Sequence, residues 1–304
     1  MRNLIVTGII ATLCFVMGAV QSVHAAQPLV VFASILPQKF FVQQIGKELV
    51  DVQVMVQPGA SPATYEPKPK QMAALSHARI YFSIGVPFEN AWLRKISAAN
   101  SEMKVVHTDQ GIAKIPMAAH HEEEEEENAR HEDRHSVDQH AHGALDPHIW
   151  LSPPLVKIQA QTILEALQEI DPEHAGIYED NLRQFISAVD ALDARLKAVF
   201  AAKDGMRFMV FHPSWGYFAK AYGLQQIPIE IEGKNPKPAQ LKALIEHARE
   251  KKINVVFVQP QFSTKSAELI AREIGGQVVF ADPLAENWLD NLYDVASRFK
   301  AALR

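Results

Sequence analysis

The stretch EHAGIYEDNLRQFISAVDALDARLKAVFAA at residues 173–202 decides the fold that the sequence predicts. Its large apolar side chains recur at alternating spacings of four and three residues, which places them on one face of a helix: Tyr178, Leu182, Phe185, Val189, Leu192, Leu196 and Val199. At 1.5 Å per residue such a helix is roughly 45 Å long, enough to span the back of two lobes. We therefore predict one long helix, with a coiled-coil dimer as the alternative that the same spacing allows.

Short β-branched or aromatic runs alternate with helical patterns on both sides of this helix, as in α/β units with a parallel sheet. The predicted strands are 29–33, 52–56, 80–84 and 105–107 before the helix, and 208–211, 227–231, 255–258 and 278–280 after it. We predict an α/β fold of two lobes, each with a mainly parallel sheet flanked by helices. The N-terminal lobe covers 26–171, the linking helix 172–203 and the C-terminal lobe 204–304.

The N-terminus is typical of a secretory signal peptide. An apolar run at 4–20 is followed by the small-residue pattern VHA at 23–25, so we predict cleavage after Ala25 and export of the mature chain. A retained membrane anchor is the alternative, because the run approaches the length of a membrane-spanning helix. The single cysteine, Cys14, lies inside the signal. The mature chain therefore has no disulfide, and its stability comes from hydrophobic burial.

The charge balance argues against nucleic acid as a partner. Removal of residues 1–25 takes away Arg2 and no acidic residue, which leaves 29 basic against 35 acidic residues and a formal net charge of −6. Proteins that bind nucleic acid carry the opposite excess. A mild acidic excess favours cations instead.

Residues 120–142 break the α/β pattern. They contain six of the thirteen histidines and the six consecutive glutamates at 122–127. This composition cannot form a packed core. A charge run alone indicates a solvated loop, but the added histidines favour weak collection of metal ions, and we predict a histidine- and glutamate-rich loop with that role.

Three segments place a potential metal ligand next to a predicted strand or turn, where ligands bind in open α/β sheets. They are DPHIWLSP at 146–153, FHPSWGYF at 211–218 and FADPLAENW at 280–288. Each contributes one residue, His148, His212 and Asp282 respectively. His148 belongs to the first lobe and the other two to the second, so a metal bound by all three would bridge the lobes.

Two imidazoles and a carboxylate suit zinc, whereas calcium and magnesium prefer oxygen ligands throughout. Each residue alone has a structural alternative: either histidine as a hydrogen-bonded core residue, and Asp282 as a turn or helix-capping residue. The three together, beside a histidine-rich loop on an exported chain, favour the metal site. The segment 235–238 and residues Gln259, Gln261 and Phe262 border the cleft in this interpretation, with ordinary loop packing as the alternative.

At this point the chain resembles the periplasmic zinc and manganese solute-binding proteins of ABC importers, in particular the zinc-uptake branch. The resemblance covers the mature chain and depends on an ordered set of motifs: SILPQKFFVQQIGK at 34–47, PGASPATYEP at 58–67, DPHIWLSP, HPSWGYFAKAYGL at 212–224, VQPQFS at 258–263 and ADPLAENW. It implies two α/β lobes joined by one long rigid helix, a metal in the cleft and delivery of that metal to a membrane permease. It also implies a periplasmic location. We expect the receptor to be a monomer.

Matched motif by motif, the resemblance implies that His148 and His212 are histidine ligands and that Asp282 is the carboxylate ligand. Manganese-binding members have a glutamate where this chain has His212. The resemblance therefore favours zinc, with manganese or another divalent transition metal as alternatives.

The sequence departs from the family pattern at Ala63. The family takes a further histidine ligand from the segment PGASPATYEP, and the matching residue here carries no donor atom. Water or a loop histidine, with His140 and His142 nearest along the sequence, would fill the fourth coordination position. Glu66 is a weaker candidate, since in this motif it fixes the turn by hydrogen bonding.

An open fourth position is also typical of catalytic zinc, so a zinc-dependent hydrolase is the main alternative function. The chain has no His-Glu-x-x-His motif, and no carboxylate in the three segments is placed as a general base. We therefore expect a receptor and not an enzyme. A metal-buffering surface adhesin is a further alternative, because it would use the same site.

Overall fold

The computed structural model describes residues 27–118, 144–231 and 233–302. The predicted cleavage site after Ala25 and the predicted loop at 120–142 lie outside these ranges, and both stay predictions. Within the described ranges, no helix is both long enough and apolar enough to cross a membrane.

Four parallel strands form the sheet of the N-terminal lobe, in the order β2-β1-β3-β4. The strands are β1 (Leu29–Ala33), β2 (Val50–Val54), β3 (Ile80–Ser83) and β4 (Lys104–His107). Three helices connect them: α1 (Leu36–Gly46), α2 (Pro69–Ala74) and α3 (Pro87–Ala99). The central strand β1 is apolar throughout because it is covered on both faces, as parallel sheets require.

The C-terminal lobe repeats this topology, with four parallel strands in the order β6-β5-β7-β8. The strands are β5 (Arg207–Val210), β6 (Gln225–Pro228), β7 (Val255–Val258) and β8 (Gln277–Phe280). The helices are α6 (Gly216–Ala221), α7 (Pro238–Glu250), α8 (Lys265–Glu273) and α9 (Trp288–Ala302). The predicted fold class, two α/β lobes with parallel sheets, is confirmed.

Two helices lie between the sheets in sequence: α4 (Pro153–Ile170) and α5 (Ala175–Phe200). The 26 residues of α5 make it about 39 Å long. Six of the seven side chains predicted for its apolar face are buried; the seventh, Val199, is half-buried, and its neighbour Phe200 takes its place in the core. The helix is shorter than the predicted 172–203, since it begins at Ala175 and ends at Phe200, and its final turn presents the ring of Phe200 inward.

The apolar face of α5 is covered by the chain itself. It packs against α1 and α4 of the N-terminal lobe and against α9 of the C-terminal lobe. One continuous core therefore runs through both lobes, from Val31 through Leu192 to Phe299. A second, smaller core lies on the other face of the C-terminal sheet. The face is not free for the coiled-coil alternative, and the helix joins the lobes as a packed unit.

The predicted strand bounds differ most at β2 and β6, one edge strand of each sheet. β2 and β6 each begin two residues earlier than predicted and end at Val54 and Pro228. Parallel pairing sets these bounds, since Gln225 lies opposite Arg207 and Pro228 opposite Val210. Because an edge strand pairs on one side only, polar residues such as Gln225 extend it, which an apolar pattern does not predict.

Candidate metal site

His148 is fixed by the residue two positions before it. Asp146 Oδ1 accepts hydrogen bonds from the main-chain N–H of His148 at 2.8 Å and from its ring Nδ1 at 2.7 Å. Both residues are buried. Since a carboxylate only accepts hydrogen bonds, Nδ1 carries the ring proton and Nε2 keeps its lone pair. The turn Asp-Pro-His therefore sets both the orientation and the tautomer of the imidazole.

The C-terminal lobe holds Asp146 in place. The hydroxyl of Tyr217, on α6, donates to the main-chain oxygen of Asp146 at 2.8 Å and accepts the N–H of Ile115 at 3.1 Å. Gly216 lies so close that a Cβ there would be 2.6 Å from Asp146 Oδ2. A glycine is therefore required for the carboxylate of one lobe to reach the helix of the other.

His212 follows β5 directly and is fixed in the same way. Its Nδ1 lies 2.7 Å from Oε1 of Glu230, a buried residue just after the neighbouring strand β6. Gln259, after β7, accepts the main-chain N–H of His212 at 2.9 Å and donates to its carbonyl oxygen at 3.0 Å. The three residues leave the carboxyl ends of adjacent parallel strands, the edge at which open α/β sheets bind ligands.

The two imidazoles come from different lobes and meet. The ring centroids of His148 and His212 are 5.2 Å apart, with the ring planes at 69°. Each Nδ1 is engaged by a buried carboxylate, so the free nitrogen of each ring is Nε2. This is the arrangement in which metal-binding histidines occur, with one nitrogen oriented by a carboxylate and the other on the metal. The spacing is compatible with Zn–N bonds of about 2.0–2.1 Å to one ion.

Electrostatics favour the neutral form of His148. Burial lowers the pKa of this imidazole from its ordinary value of 6.5, while the hydrogen bond and charge of Asp146 raise it less. A metal binds the neutral ring and displaces a proton from the charged one. The site is therefore suited to cation binding at neutral pH.

Both imidazoles line a cavity of about 180 Å³ between the lobes. Its walls are mainly apolar, and include Pro62, Val86, Pro87, Met117, Phe262 and Pro283. Ala63 also lines this cavity and contributes only a methyl group. Gln261 and Phe262, which the sequence placed at the cleft, are part of its wall.

Asp282 lies apart from the imidazole pair. Its Oδ1 accepts hydrogen bonds from Gln261 Nε2 at 2.8 Å and from the N–H of Leu284 at 2.9 Å. It lines a neighbouring cavity of about 190 Å³, and Gln261 and Leu284 line both cavities. Gln261 thus stands between Asp282 and the histidines. Across 27–118, 144–231 and 233–302, no three His, Cys, Asp or Glu side chains are grouped so as to hold a metal ion.

The structure thus brings His148 and His212 together and leaves Asp282 one side chain away. Joint metal binding by the three residues stays a prediction. Glu66, the weaker candidate for the fourth position, is exposed and is not among the residues that line the cavity with the imidazoles.

Sequence reasoning missed the two carboxylates that orient the imidazoles. Asp146 had a signal, because it stands two residues before His148 in the quoted motif. Glu230 had none: it lies 18 residues after His212, and the pairing of β5 with β6 brings the two together. One oxygen of each carboxylate, Asp146 Oδ2 and Glu230 Oε2, is buried without a hydrogen-bond partner.

The chain is similar to known metal-binding and zinc-uptake proteins. The chain is 32% identical over 246 residues to a putative metal-binding protein of Treponema pallidum (strain Nichols), covering 79% of this chain and 74% of the relative. It is 29% identical over 251 residues to the high-affinity zinc uptake system protein ZnuA of Bacillus subtilis (strain 168), covering 81% and 76%.

Solved structures share the fold along most of their length. A crystal structure of ZnuA superposes with a TM-score of 0.80 at 44% identity, covering 90% of this chain and 99% of that one. A zinc-bound deletion mutant of ZnuA, lacking 138–173 in its own numbering, gives 0.79 at 43%, covering 90% and 98%.

The family model described as "Zinc-uptake complex component A periplasmic" matches residues 31–302, nearly all of the chain that follows the predicted signal. This match and the relatives above agree with the fold. The chain belongs to the zinc-uptake complex component A family, whose members are metal receptors for transport and not enzymes.

Proposed function

We propose that this protein captures zinc in the cleft between its lobes and delivers it to the membrane permease of an ABC importer. One observation carries the proposal: two imidazoles from different lobes, 5.2 Å apart, each with Nδ1 held by a buried carboxylate. Such a pair leaves two Nε2 atoms available to bind one ion. The ion would therefore join the two lobes.

The chemistry of the donors supports zinc above other divalent ions. Imidazole nitrogen suits zinc, copper, iron and nickel, whereas manganese, magnesium and calcium are favoured by oxygen ligands. Relatives support the same choice, since one bears the name of a high-affinity zinc uptake protein and another was solved with zinc bound. Manganese and other divalent transition metals remain the alternatives.

Asp282 is the proposed third ligand. Its carboxylate lies one side chain from the imidazoles and is held by Gln261 and Leu284. The carboxamide oxygen of Gln261 is itself buried without a partner. We expect an incoming cation to draw Asp282 from Gln261 toward the histidines, since a carboxylate gains more from a divalent ion than from a neutral amide.

The setting of the site in the cell follows from the sequence. Cleavage after Ala25 would release a periplasmic monomer, and the histidine- and glutamate-rich segment 120–142 would raise the local concentration of cations near the cleft. Binding by that segment should be weak and binding in the cleft tight. Deletion of 120–142 should therefore lower the number of zinc ions bound while sparing the tight site.

Metal titration of the mature protein tests the proposal. In competition with a chromogenic chelator, the metal-free chain should take up one zinc ion tightly and others weakly. Absence of a tight equivalent would contradict the receptor function. Zinc-dependent hydrolysis of esters or peptides, abolished by His212→Ala, would favour the hydrolase instead.

A further inference from the structure

The turn that carries Asp282 belongs to the C-terminal lobe in sequence, but a residue of the N-terminal lobe holds it. The indole N–H of Trp150 donates to the main-chain oxygen of Pro283 at 2.6 Å. The main-chain oxygen of Trp150 accepts the indole N–H of Trp288, at the start of α9, at 2.7 Å. Both tryptophans are buried. The two ends of the turn, at Pro283 and Trp288, are therefore hydrogen-bonded to one residue of the other lobe.

Trp150 also contacts the imidazole pair. It follows His148 by two residues, and the ring centroids of the two side chains are 5.0 Å apart, with the planes at 56°. Trp150, His148 and Pro283 line the same cavity. One buried side chain thus connects a proposed imidazole ligand with the turn of the proposed carboxylate ligand.

The main chain of this turn determines where the carboxylate of Asp282 lies. A residue before proline is restricted to extended backbone conformations, and Oδ1 of Asp282 accepts the N–H of Leu284 two residues further on. The main-chain oxygen of Asp282 accepts Nδ2 of Asn291, on α9, at 2.8 Å. Pro283 is buried. Loss of the Trp150 bond would take the indole partner from a buried carbonyl oxygen, a cost that favours a shift of the turn.

We propose that Trp150 is a positioning residue for the metal. Its indole N–H holds the main chain of the turn at a fixed distance from His148, so that the carboxylate of Asp282 reaches the ion by rotation of its own side chain. The inference rests on the proposed zinc site, in which Asp282 is the third ligand. The bond to Pro283 stays in place while the carboxylate leaves Gln261.

A double-mutant cycle tests this role. Trp150→Phe keeps an aromatic ring beside His148 but removes the indole N–H. The affinity for zinc, measured by competition with chelators chosen for each affinity range, should fall about tenfold, as for loss of a group that orients a metal ligand. In the Asp282→Asn background the same substitution should change the affinity less than twofold, because no carboxylate is left to position.

Trp215→Phe is the matched control. Trp215 is buried as completely as Trp150, and within the described residues its indole N–H has no hydrogen-bond partner. The control therefore removes the same volume from the core without breaking an indole hydrogen bond. It should bind zinc within twofold of the parent. Thermal melts of the metal-free proteins check that both variants are folded.

Hydrogen exchange of the indole groups, measured by NMR, tests the bond in the parent chain itself. The indole proton of Trp150 should exchange slowly with solvent in the metal-free and in the zinc-loaded protein, because a buried and bonded N–H exchanges after local opening. The half-buried Trp92 should exchange faster. Fast exchange of the Trp150 signal in the zinc-loaded protein would overturn the inference even if Trp150→Phe did not fold.

The remaining outcomes separate the inference from the function on which it rests. An unchanged affinity in Trp150→Phe, or an equal loss in the Asp282→Asn background or in Trp215→Phe, would show that Trp150 does not act through the carboxylate. If Asp282→Asn alone bound zinc as the parent does, Asp282 would not be a ligand and the inference would fail, while the receptor function would stand. Absence of tight zinc binding in the parent would instead contradict the proposed function.

Discussion

The two sides of Gln261 differ in how ready they are for a metal ion. On one side, His148 and His212 each have Nδ1 fixed by a buried carboxylate and a free Nε2. On the other side, Oδ1 of Asp282 accepts hydrogen bonds from the side chain of Gln261 and from the main-chain N–H of Leu284. The imidazole side is organised before metal arrives, and the carboxylate side must give up a hydrogen bond.

This difference follows from where each group is anchored. The imidazoles are tied to buried carboxylates that the packing of the sheets and α6 holds in place. Asp282 lies in the turn between β8 and α9, where hydrogen bonds from Gln261 and Leu284 set the direction of its carboxylate. The affinity for zinc should therefore depend most on the imidazoles and next on the residues that orient them. It should depend least on the contact between Gln261 and Asp282.

Loss of an imidazole should have the largest effect. His212→Ala removes a proposed zinc ligand and should weaken tight zinc binding by more than about 100-fold, beyond the range that loss of a ligand's hydrogen-bond partner causes. Chelator competition measures the effect. His77→Ala, at an exposed histidine in the turn after α2, is the control and should bind as the parent does. Equal affinities for the two variants would eliminate the imidazole assignment.

Loss of an orienting carboxylate should come next. Glu230→Gln keeps the shape of the side chain but removes the charge that fixes the His212 tautomer, and should weaken zinc binding by about 10- to 100-fold. Asp146→Asn should act similarly on His148. Thermal melts of the metal-free variants check that the fold is intact. A change of less than twofold would mean that the imidazoles need no such orientation.

The buried imidazole should also give the metal-free protein a pH-dependent stability. Burial lowers the pKa of His148, so as the pH falls below about 6.5 the unfolded chain takes up a proton before the folded one. The free energy of unfolding should then fall by up to about 1.4 kcal/mol per pH unit from this residue.

Urea titrations between pH 7.5 and 5.5 measure this dependence. His148→Gln should lose less stability over that range than the parent, because it has no proton to take up on unfolding. Parallel curves for the parent and His148→Gln would show that His148 does not contribute.

Release of Asp282 should have the smallest effect and the opposite sign. Gln261→Leu removes one hydrogen bond from the carboxylate, a contact worth about 1 kcal/mol, and should tighten zinc binding by about fivefold. The gain should vanish in the Asp282→Asn background, which a double-mutant cycle measures. An equal gain in both backgrounds would place Asp282 outside the metal site.

The sequence predicts the framework well, because its signals are local. The bounds of β1 and β7 and the buried face of α5 follow from runs and spacings of apolar residues that burial requires. The sequence also predicted that His148 and His212 lie close together, since each belongs to a recognisable segment at the edge of its lobe. The edge strand β6 was placed two residues late, because pairing, not hydrophobicity, sets its start.

The finer arrangement of the site could not be read in the same way. Glu230 reaches His212 through pairing of distant strands, which no short motif encodes. The direction of Asp282 depends on Gln261, whose side chain belongs to the loop after β7. Such contacts result from tertiary packing. The residue types therefore indicated zinc, but the hydrogen-bonding network could be described only from the structure.

Anomalous scattering from crystals of the zinc-loaded mature protein, measured at the zinc edge, tests the central claim most directly. One strong peak between the lobes, about 2.0–2.1 Å from Nε2 of both His148 and His212, is the expected result. A peak bound to one of these rings alone, or at neither, would contradict the account of a single ion shared by the two lobes.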